Sequence, residues 1–230
     1  MISDWLAFWD KPQSIYVNAR HRDVHYRLIA EELAALVPSR TARVLDYGCG
    51  EALHADLVAA AAGELLLCDG APSVRGAIGL RFAGNPKIRA LAPEDVEQLP
   101  DHCADFIVLH SVAQYLTAEQ AQSLLQLFHR LLQPAGILLV SDVIPPHSTA
   151  STDAAALLRF GAANGFLFAA IGGLARTLVS DYRRLRARVG LTHYSEAAMT
   201  EKLAAAGFTV RAATNVGHNQ ARMAFIARPR

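Results

Sequence analysis

The sequence predicts an α/β fold in which a mostly parallel sheet is covered by helices on both faces. Three observations predict it. Short apolar runs bounded by turn residues recur from Val44 onward, helical patterns separate these runs, and 52% of the 230 residues are hydrophobic while 19% are charged. This length and composition suit one domain with a sizeable core.

Five strands and the helices between them follow one another through the middle of the chain. The strands are predicted at Arg43–Tyr47, Leu65–Cys68, Lys87–Leu91, Phe106–His110 and Ile137–Ser141. The helices are predicted at Leu53–Ala62, Ser73–Phe82, Glu94–Leu99 and Ala118–Leu132, the last of them capped by Thr117. A further helix capped by Ser195 precedes two strands, Thr209–Thr214 and Met223–Ala227, which predict an antiparallel hairpin that closes the sheet.

Two segments fall outside this alternation. Residues 1–41 predict a helical arm, and residues 143–192 predict a helical insertion between the core at 42–142 and the final helix and hairpin at 193–230. The run Phe160–Ala175 within the insertion is apolar on all sides, which is typical of a buried helix or of a lid over an apolar substrate. Segments of this kind are natural places for substrate-specific parts.

Composition excludes several classes of function. The 22 Lys and Arg residues balance 21 Asp and Glu residues, so no overall field attracts nucleic acid. The three cysteines form no close pair and no metal-ligand spacing, which favours reduced thiols. The amino-terminal segment lacks a basic leader, and no apolar run reaches the ~20 residues of a membrane span, so we expect a cytoplasmic protein. The sequence leaves the oligomeric state open.

The turn after the first strand, in the stretch RVLDYGCGEALHADL, carries an acid and two glycines. Gly48 and Gly50 allow positive φ angles and leave room for a ligand against the backbone. The N–H groups of the following helix favour an anionic or carboxylate-bearing ligand. A dinucleotide fingerprint would need glycine or alanine where this chain has Leu53. Asp69 ends the second strand, where a carboxylate accepts hydrogen bonds from ribose hydroxyls.

The run Asp46-x-Gly48-x-Gly50-x-Ala52 resembles the first motif of the class I S-adenosylmethionine-dependent methyltransferases, with Ala52 in place of a third glycine. The stretches PEDVEQLP and LLQPAG also resemble motifs of that family. The resemblance covers about residues 46–142. It implies a Rossmann-like sheet of seven strands with S-adenosylmethionine as cofactor and a small molecule as methyl acceptor.

The resemblance also implies the cofactor-binding residues. Asp46, Gly48 and Gly50 would hold the methionine end, and Asp69 with Gly70 the ribose. The remaining contacts would be Asp95 and Val96 at the adenine, with Glu94 as the rival of Asp95, and His110 and Ser111 at the methionine part.

Candidate residues for the chemistry follow from position and residue type. His110 ends the fourth strand, and its imidazole suits a general base as well as a cofactor contact. Tyr115 either borders the same cleft or packs on the following helix. In the arm, Tyr16, Arg20 and His25 predict a lid or substrate wall; a merely solvated face is the alternative. Histidine spacing in this segment matches no recognised metal site, so no metal is predicted.

These observations lead to one hypothesis and two rivals. The chain is predicted to transfer a methyl group from S-adenosylmethionine to a small acceptor, apolar if 160–175 forms a lid. The rivals are a methyltransferase-like protein that binds the cofactor without turnover and a nucleotide-dependent oxidoreductase. Leu53 argues against the oxidoreductase.

Overall fold

The computed structural model describes residues 2–11, 15–177 and 190–230. In this part of the chain, seven strands form one sheet. They are β1 (Arg43–Tyr47), β2 (Glu64–Cys68), β3 (Ile88–Leu91), β4 (Ala104–His110), β5 (Leu132–Val143), β6 (Phe208–Ala213) and β7 (Met223–Pro229). Their order across the sheet is β3-β2-β1-β4-β5-β7-β6. The first five strands are parallel, and β7 runs antiparallel to both of its neighbours.

Helices cover both faces of this sheet. They are α1 (Ile2–Trp9), α2 (Ala19–Leu36), α3 (Ala55–Ala61), α4 (Pro72–Arg81), α5 (Pro93–Glu97), α6 (Ala118–Leu131), α7 (Ala150–Ala163), α8 (Leu167–Thr177) and α9 (Glu196–Ala205). Alternate residues of β1 point to opposite faces, so Val44 belongs to one apolar core and Leu45 to the other. The predicted fold class is therefore confirmed, with each predicted strand present to within a few residues.

Local signals set several helix boundaries. The side chain of Thr117 accepts a hydrogen bond from the N–H of Gln120, whose own side chain accepts from the N–H of Thr117, and this reciprocal cap starts α6. Ser195 caps α9 through a single bond, since its side chain accepts from the N–H of Ala198. Both caps were predicted from the sequence and both are confirmed.

The apolar run Phe160–Ala175 is not one helix. Helix α7 ends at Ala163, Gly165 takes a φ of +73°, and α8 begins at Leu167. The break lets Phe160 and Phe166 turn inward against α2, while Phe168 on the other side stays 88% exposed. Part of the run thus belongs to a third, smaller core, because only one face of each short helix can pack against the domain.

The arm and the insertion meet above the carboxyl ends of the parallel strands. Residues of α2 pack against those of α7 and α8, and the side chain of Arg176 on α8 donates to the carbonyl of Val17, 3.2 Å away. The division of the chain at 41, 142 and 192 stays a prediction. The part of the insertion at 178–189 lies outside the described residues.

Candidate functional site

A cavity of about 1730 Å³ lies at the carboxyl ends of β1, β2, β4 and β5. Parallel strands end at the same edge of a sheet, and this edge is where ligands bind in open α/β folds. Side chains of α1, α2 and α8 also line the cavity, so the arm and the insertion lie over it. Its volume exceeds the ~300–1,000 Å³ typical of a site for one small molecule and leaves room for two.

The turn after β1 has the backbone that its glycines predicted. Gly48 and Gly50 take φ angles of +78° and +56°. The N–H of Gly48 donates to the carbonyl of Cys68 at 2.7 Å, which ties the turn to the end of β2. A Cβ atom on Gly48 would overlap Val112, and one on Gly50 would lie 2.9 Å from the hydroxyl oxygen of Tyr26. The turn therefore needs glycine at both positions.

Asp69 joins the two turns at the edge of the sheet. Its Oδ2 accepts from the N–H of Gly50 at 3.0 Å, and its Oδ1 accepts from the N–H of Ala71 at 2.8 Å. Burial raises the pKa of this carboxyl group, while the hydrogen bonds from Ala71 and Gly50 act in the opposite direction. Each carboxylate oxygen keeps a further acceptor position towards the cavity. The next residue, Gly70, also lines the cavity and contacts Leu6 of α1.

Asp46 lies one residue before the end of β1 and lines the same cavity. Burial and the nearby carboxylate of Asp69 raise the pKa of Asp46 to about 7. A cation bound beside these two carboxylates would favour their ionised forms. The arrangement suits a ligand that carries positive charge.

His110 and Ser111 lie at the end of β4, where they were predicted. The Nδ1 atom of His110 lies 2.9 Å from the hydroxyl oxygen of Ser141, and burial lowers the pKa of the His110 imidazole. Ser111 takes a φ of +58° and donates its hydroxyl to Asp142, which itself takes a φ of +56°. Two neighbouring residues in left-handed conformations that L side chains rarely adopt mark this edge as a strained part of the cavity wall.

Tyr115 borders the cavity and packs against the arm. Its ring centroid lies 4.6 Å from that of Trp5 and 5.9 Å from that of Trp9, both on α1. Tyr115 was predicted either to border the cleft or to pack on the following helix. The position beside the cleft is the observed one, and α1 covers the ring there.

The three residues predicted for a lid separate into two groups. Tyr16 and His25 line the cavity, whereas Arg20 is exposed and donates to the carbonyl of Asn164 at the end of α7. Arg20 thus joins the arm to the insertion on the outside. The hydroxyl of Tyr26 accepts from the N–H of Glu51 at 3.1 Å, so α2 is also fixed directly to the glycine turn.

Asp95 and Val96, predicted at the adenine, do not line the cavity. The carboxylate of Asp95 accepts from the N–H of Ala92 at 2.8 Å and caps α5, and the N–H of Val96 donates to the carbonyl of Ala92. Their polar groups are therefore used by the helix itself. The rival residue, Glu94, lines the cavity.

Sequence reasoning predicted His25 for a lid or substrate wall but missed the two histidines beside it. We name the three together the imidazole wall: His21, His25 and His218. His218 comes from the loop before β7 and stacks on Phe160 of α7, with ring centroids 4.5 Å apart. The polar cluster in VGHNQARM was the available signal, but turn chemistry explained it equally well. Among the described residues, no group of three or more His, Cys, Asp or Glu side chains has the geometry of a metal site.

The sheet order and the cavity at its edge define the class I methyltransferase fold, and comparison with solved structures agrees. Magnesium protoporphyrin IX methyltransferase (ChlM) from Synechocystis PCC 6803 with bound SAH is 18% identical, with a TM-score of 0.59 and coverage of 99% of this chain and 93% of that one. A DhpI–SAH complex is 14% identical, with a TM-score of 0.63 and coverage of 99% and 96%. YcgJ from Bacillus subtilis is 13% identical, with a TM-score of 0.60 and coverage of 88% and 98%. At these identities the likeness shows the fold.

A family model matches the sequence of the core. Residues 45–140 match the model of the family described as Methyltransferase domain. The match spans β1 to β5 and includes the glycine turn, Asp69 and His110. The resemblance to class I methyltransferases is thereby confirmed. A search of curated protein sequences found no match. No helix in the described ranges has the length and apolar character of a membrane span.

Proposed function

We propose that this protein is an S-adenosylmethionine-dependent methyltransferase that acts on a small acceptor. The observation that carries the proposal is the junction of the two strand ends, where the Asp69 carboxylate accepts from the N–H of Gly50 and faces the cavity beside Asp46. S-adenosylmethionine is the cofactor of this class, and two of the similar structures contain its product SAH.

The residues present fit that cofactor. A Cβ atom at Gly48 would fill the turn, and carboxylate side chains outnumber Lys and Arg side chains along the cavity, as a cationic ligand requires. Asp46 would hold the methionine end, Asp69 and Gly70 the ribose, and Glu94 the adenine. When bound, the cofactor supplies a methyl group on cationic sulfur, and this group leaves the sulfur as it bonds to the acceptor atom.

The protein's part in such a reaction is alignment and the exclusion of water. Trp5 and Trp9 on α1 and the rings of α2 lie over the cavity and keep solvent from it. His110 orients its ring through Ser141 at the edge where the cofactor and acceptor would meet. Burial lowers the pKa of the His110 imidazole and favours its neutral form.

Two rivals make different predictions. A nicotinamide oxidoreductase would need close helix packing at the position of Leu53, which is half-buried and too large for that contact. A binding protein without turnover would keep the cofactor site and methylate nothing. Isothermal titration with S-adenosylmethionine, SAH and NAD separates the first rival, and incubation of a cell extract with methyl-labelled cofactor separates the second.

The decisive variant is Asp69→Asn. It keeps the side-chain shape and one acceptor oxygen but removes the charge, and we expect SAH affinity to fall about tenfold or more because hydrogen bonds to charged groups contribute ~1.5–3 kcal/mol. Asp101→Asn, an exposed carboxylate outside the cavity, is the matched control. Absent SAH binding by the wild-type protein would end the proposal.

A further inference from the structure

The imidazole wall is the part of the cavity that the cofactor contacts do not use. Its three rings lie close together: the centroids of His25 and His218 are 5.8 Å apart, those of His21 and His25 6.1 Å, and those of His21 and His218 6.4 Å. A charge on His110 acts to lower the pKa of both His25 and His218, so the wall continues from the end of β4. It therefore faces the place where a methyl acceptor must lie.

The three imidazoles are neutral at neutral pH. Burial lowers the pKa of His21 to about 4, lowers that of His25 well below the ordinary value, and lowers that of His218. The rings also disfavour each other's charged forms. Asp142 and Asp153 act in the opposite direction on His218 alone among the three. His218 is thus the ring of the wall best placed to accept a proton.

Hydrogen bonding fixes the tautomers of the other two rings. The Nδ1 atom of His21 accepts from the N–H of Val17 at 3.3 Å, so its proton is on Nε2. The Nδ1 atom of His25 is buried without a partner among the described residues. A buried N–H without an acceptor is rarer than an unpaired acceptor, so His25 also carries its proton on Nε2. The wall therefore presents N–H donors beside the imidazole of His218, which in its neutral form has one acceptor nitrogen.

The surroundings of the wall are flat and aromatic. Phe160 stacks on His218 with an angle of 13° between the rings, Phe166 stacks on His21 at 22°, and Tyr16 lies edge-on to His21. Phe160 and Phe166 do not line the cavity, whereas the three imidazoles and Tyr16 do, and together these four rings form an aromatic wall that favours a planar ligand.

Resting on the proposed function, we propose that the imidazole wall is the acceptor subsite and that the acceptor is a neutral aryl alcohol, whose single hydroxyl group lies between His25 and His218. A hydroxyl group both accepts, from the N–H of His25, and donates, to a ring nitrogen of His218. A carboxylate has no proton to donate and would face Asp142, which lines the cavity and already pairs with Arg222. A cation would face the N–H donors of His21 and His25.

The proton balance of the reaction follows from the same pair. The hydroxyl oxygen keeps its electron pair for the bond to the methyl group, and the hydroxyl proton passes to His218. The new imidazolium carries the positive charge that the sulfonium loses, so atoms and charge balance. Asp142 and Asp153 stabilise that imidazolium. His110 lies beside this pair at the end of β4, where the contact between its Nδ1 atom and Ser141 fixes the orientation of its ring.

The test is a binding measurement on the protein saturated with SAH. Fluorescence titrations compare three probes of the same ring shape: 2-naphthol, its methyl ether and 2-naphthoate. We expect 2-naphthol to bind about tenfold more tightly than the other two, because neither the ether nor the carboxylate can donate to His218 and a buried acceptor left unpaired costs ~1–3 kcal/mol. Equal affinity for the methyl ether, a preference for 2-naphthoate, or no binding of 2-naphthol overturns the proposal.

Variants of the imidazole wall test whether its histidines cause the preference for 2-naphthol over the methyl ether. His218→Phe keeps the stack on Phe160 and should reduce the preference for 2-naphthol over the ether to less than about threefold. His25→Phe keeps a ring but removes the N–H from which both oxygens accept, so it should weaken both probes by a similar factor. SAH affinity should be unchanged in both variants. His147→Phe, at an exposed position outside the cavity, should leave the preference intact. A preference that survives in His218→Phe, or an affinity for 2-naphthol that is unchanged in His25→Phe, overturns the proposal, and if either variant unfolds by circular dichroism, the wild-type comparison of the three probes decides. Absent SAH binding would overturn the proposed function instead.

Discussion

At the β1–β2 end of the cavity, two carboxylates and the N–H groups of a glycine turn come from residues 46–71, a single stretch of chain. At the other end, the imidazole wall draws its rings from α2 and from the loop before β7, and its support from α7. The first region is anionic and the second is neutral. One end suits a cation and the other an uncharged molecule.

This difference shows that the cofactor and the acceptor would be bound by different parts of the fold. Backbone groups at the strand ends are fixed by the sheet, so the cofactor end depends on conformations such as those of Gly48 and Gly50. Side chains of the arm, the insertion and the final hairpin determine the acceptor end, and they can change without altering the sheet. Each prediction below therefore changes one end and leaves the other.

The largest effect is expected for Gly48→Ala. A φ of +78° costs an L residue about 1–2 kcal/mol, and the new Cβ would overlap Val112, so we expect a loss of more than ~2 kcal/mol in the free energy of unfolding together with loss of SAH binding. Gly76→Ala is the matched control: it lies within α4 with no atom within 4 Å of the added Cβ, and should gain ~0.5–1 kcal/mol. Urea unfolding measures the stability of both variants, and calorimetric titration measures their SAH affinity. A Gly48→Ala variant with unchanged stability and affinity would contradict the close approach of the turn to Val112.

The second effect is the pH dependence of cofactor binding. The raised pKa of Asp46, about 7, means that the carboxyl group is largely protonated at pH 6 and ionised at pH 8. A cationic ligand binds the ionised form, so SAM affinity should rise about tenfold across that interval. The same raised pKa lowers the stability of the free protein as pH increases from about 4 through 7. Asp46→Asn should flatten both profiles; a variant that keeps the full pH slope would assign it to another group.

A smaller effect should separate Glu94 from Asp95. Glu94 lines the cavity, whereas the Asp95 carboxylate is occupied by the N–H of Ala92. We expect Glu94→Gln to weaken SAH binding about three- to tenfold, and Asp95→Asn to change it less than twofold. Calorimetric titration of both variants gives the comparison. The reverse result would restore Asp95 to the adenine site.

The smallest effect concerns acid stability at the acceptor end. Because burial lowers the pKa of His21 to about 4 from an ordinary value of 6.5, the unfolded chain binds this proton before the folded protein does, and stability falls as pH decreases from about 6.5 towards 4. His21→Phe should make the urea midpoint less dependent on pH in this interval. His129→Phe, a ring that packs on Phe208 outside the cavity, should not. Equal slopes for both variants would count against a neutral imidazole wall.

Particular elements explain what could be predicted. Period-two and helical patterns are local, so the strands of the core and the caps at Thr117 and Ser195 were predicted correctly. The run 160–175 was wrong as one helix, because the turn at Gly165 depends on packing against α2. Asp95 was placed by its motif at the adenine, but a carboxylate at the third position of a helix can cap that helix instead.

The sequence by itself determined the glycine turn, the acid that follows β2 and the order of strands and helices in the core, because hydrogen bonds and φ angles in these parts involve residues near one another along the chain. The tertiary structure alone decided which side chains form the other end of the cavity. His25 and His218 are separated by most of the chain, and only the closure of the hairpin onto β5 and the packing of the arm above it bring their rings 5.8 Å apart.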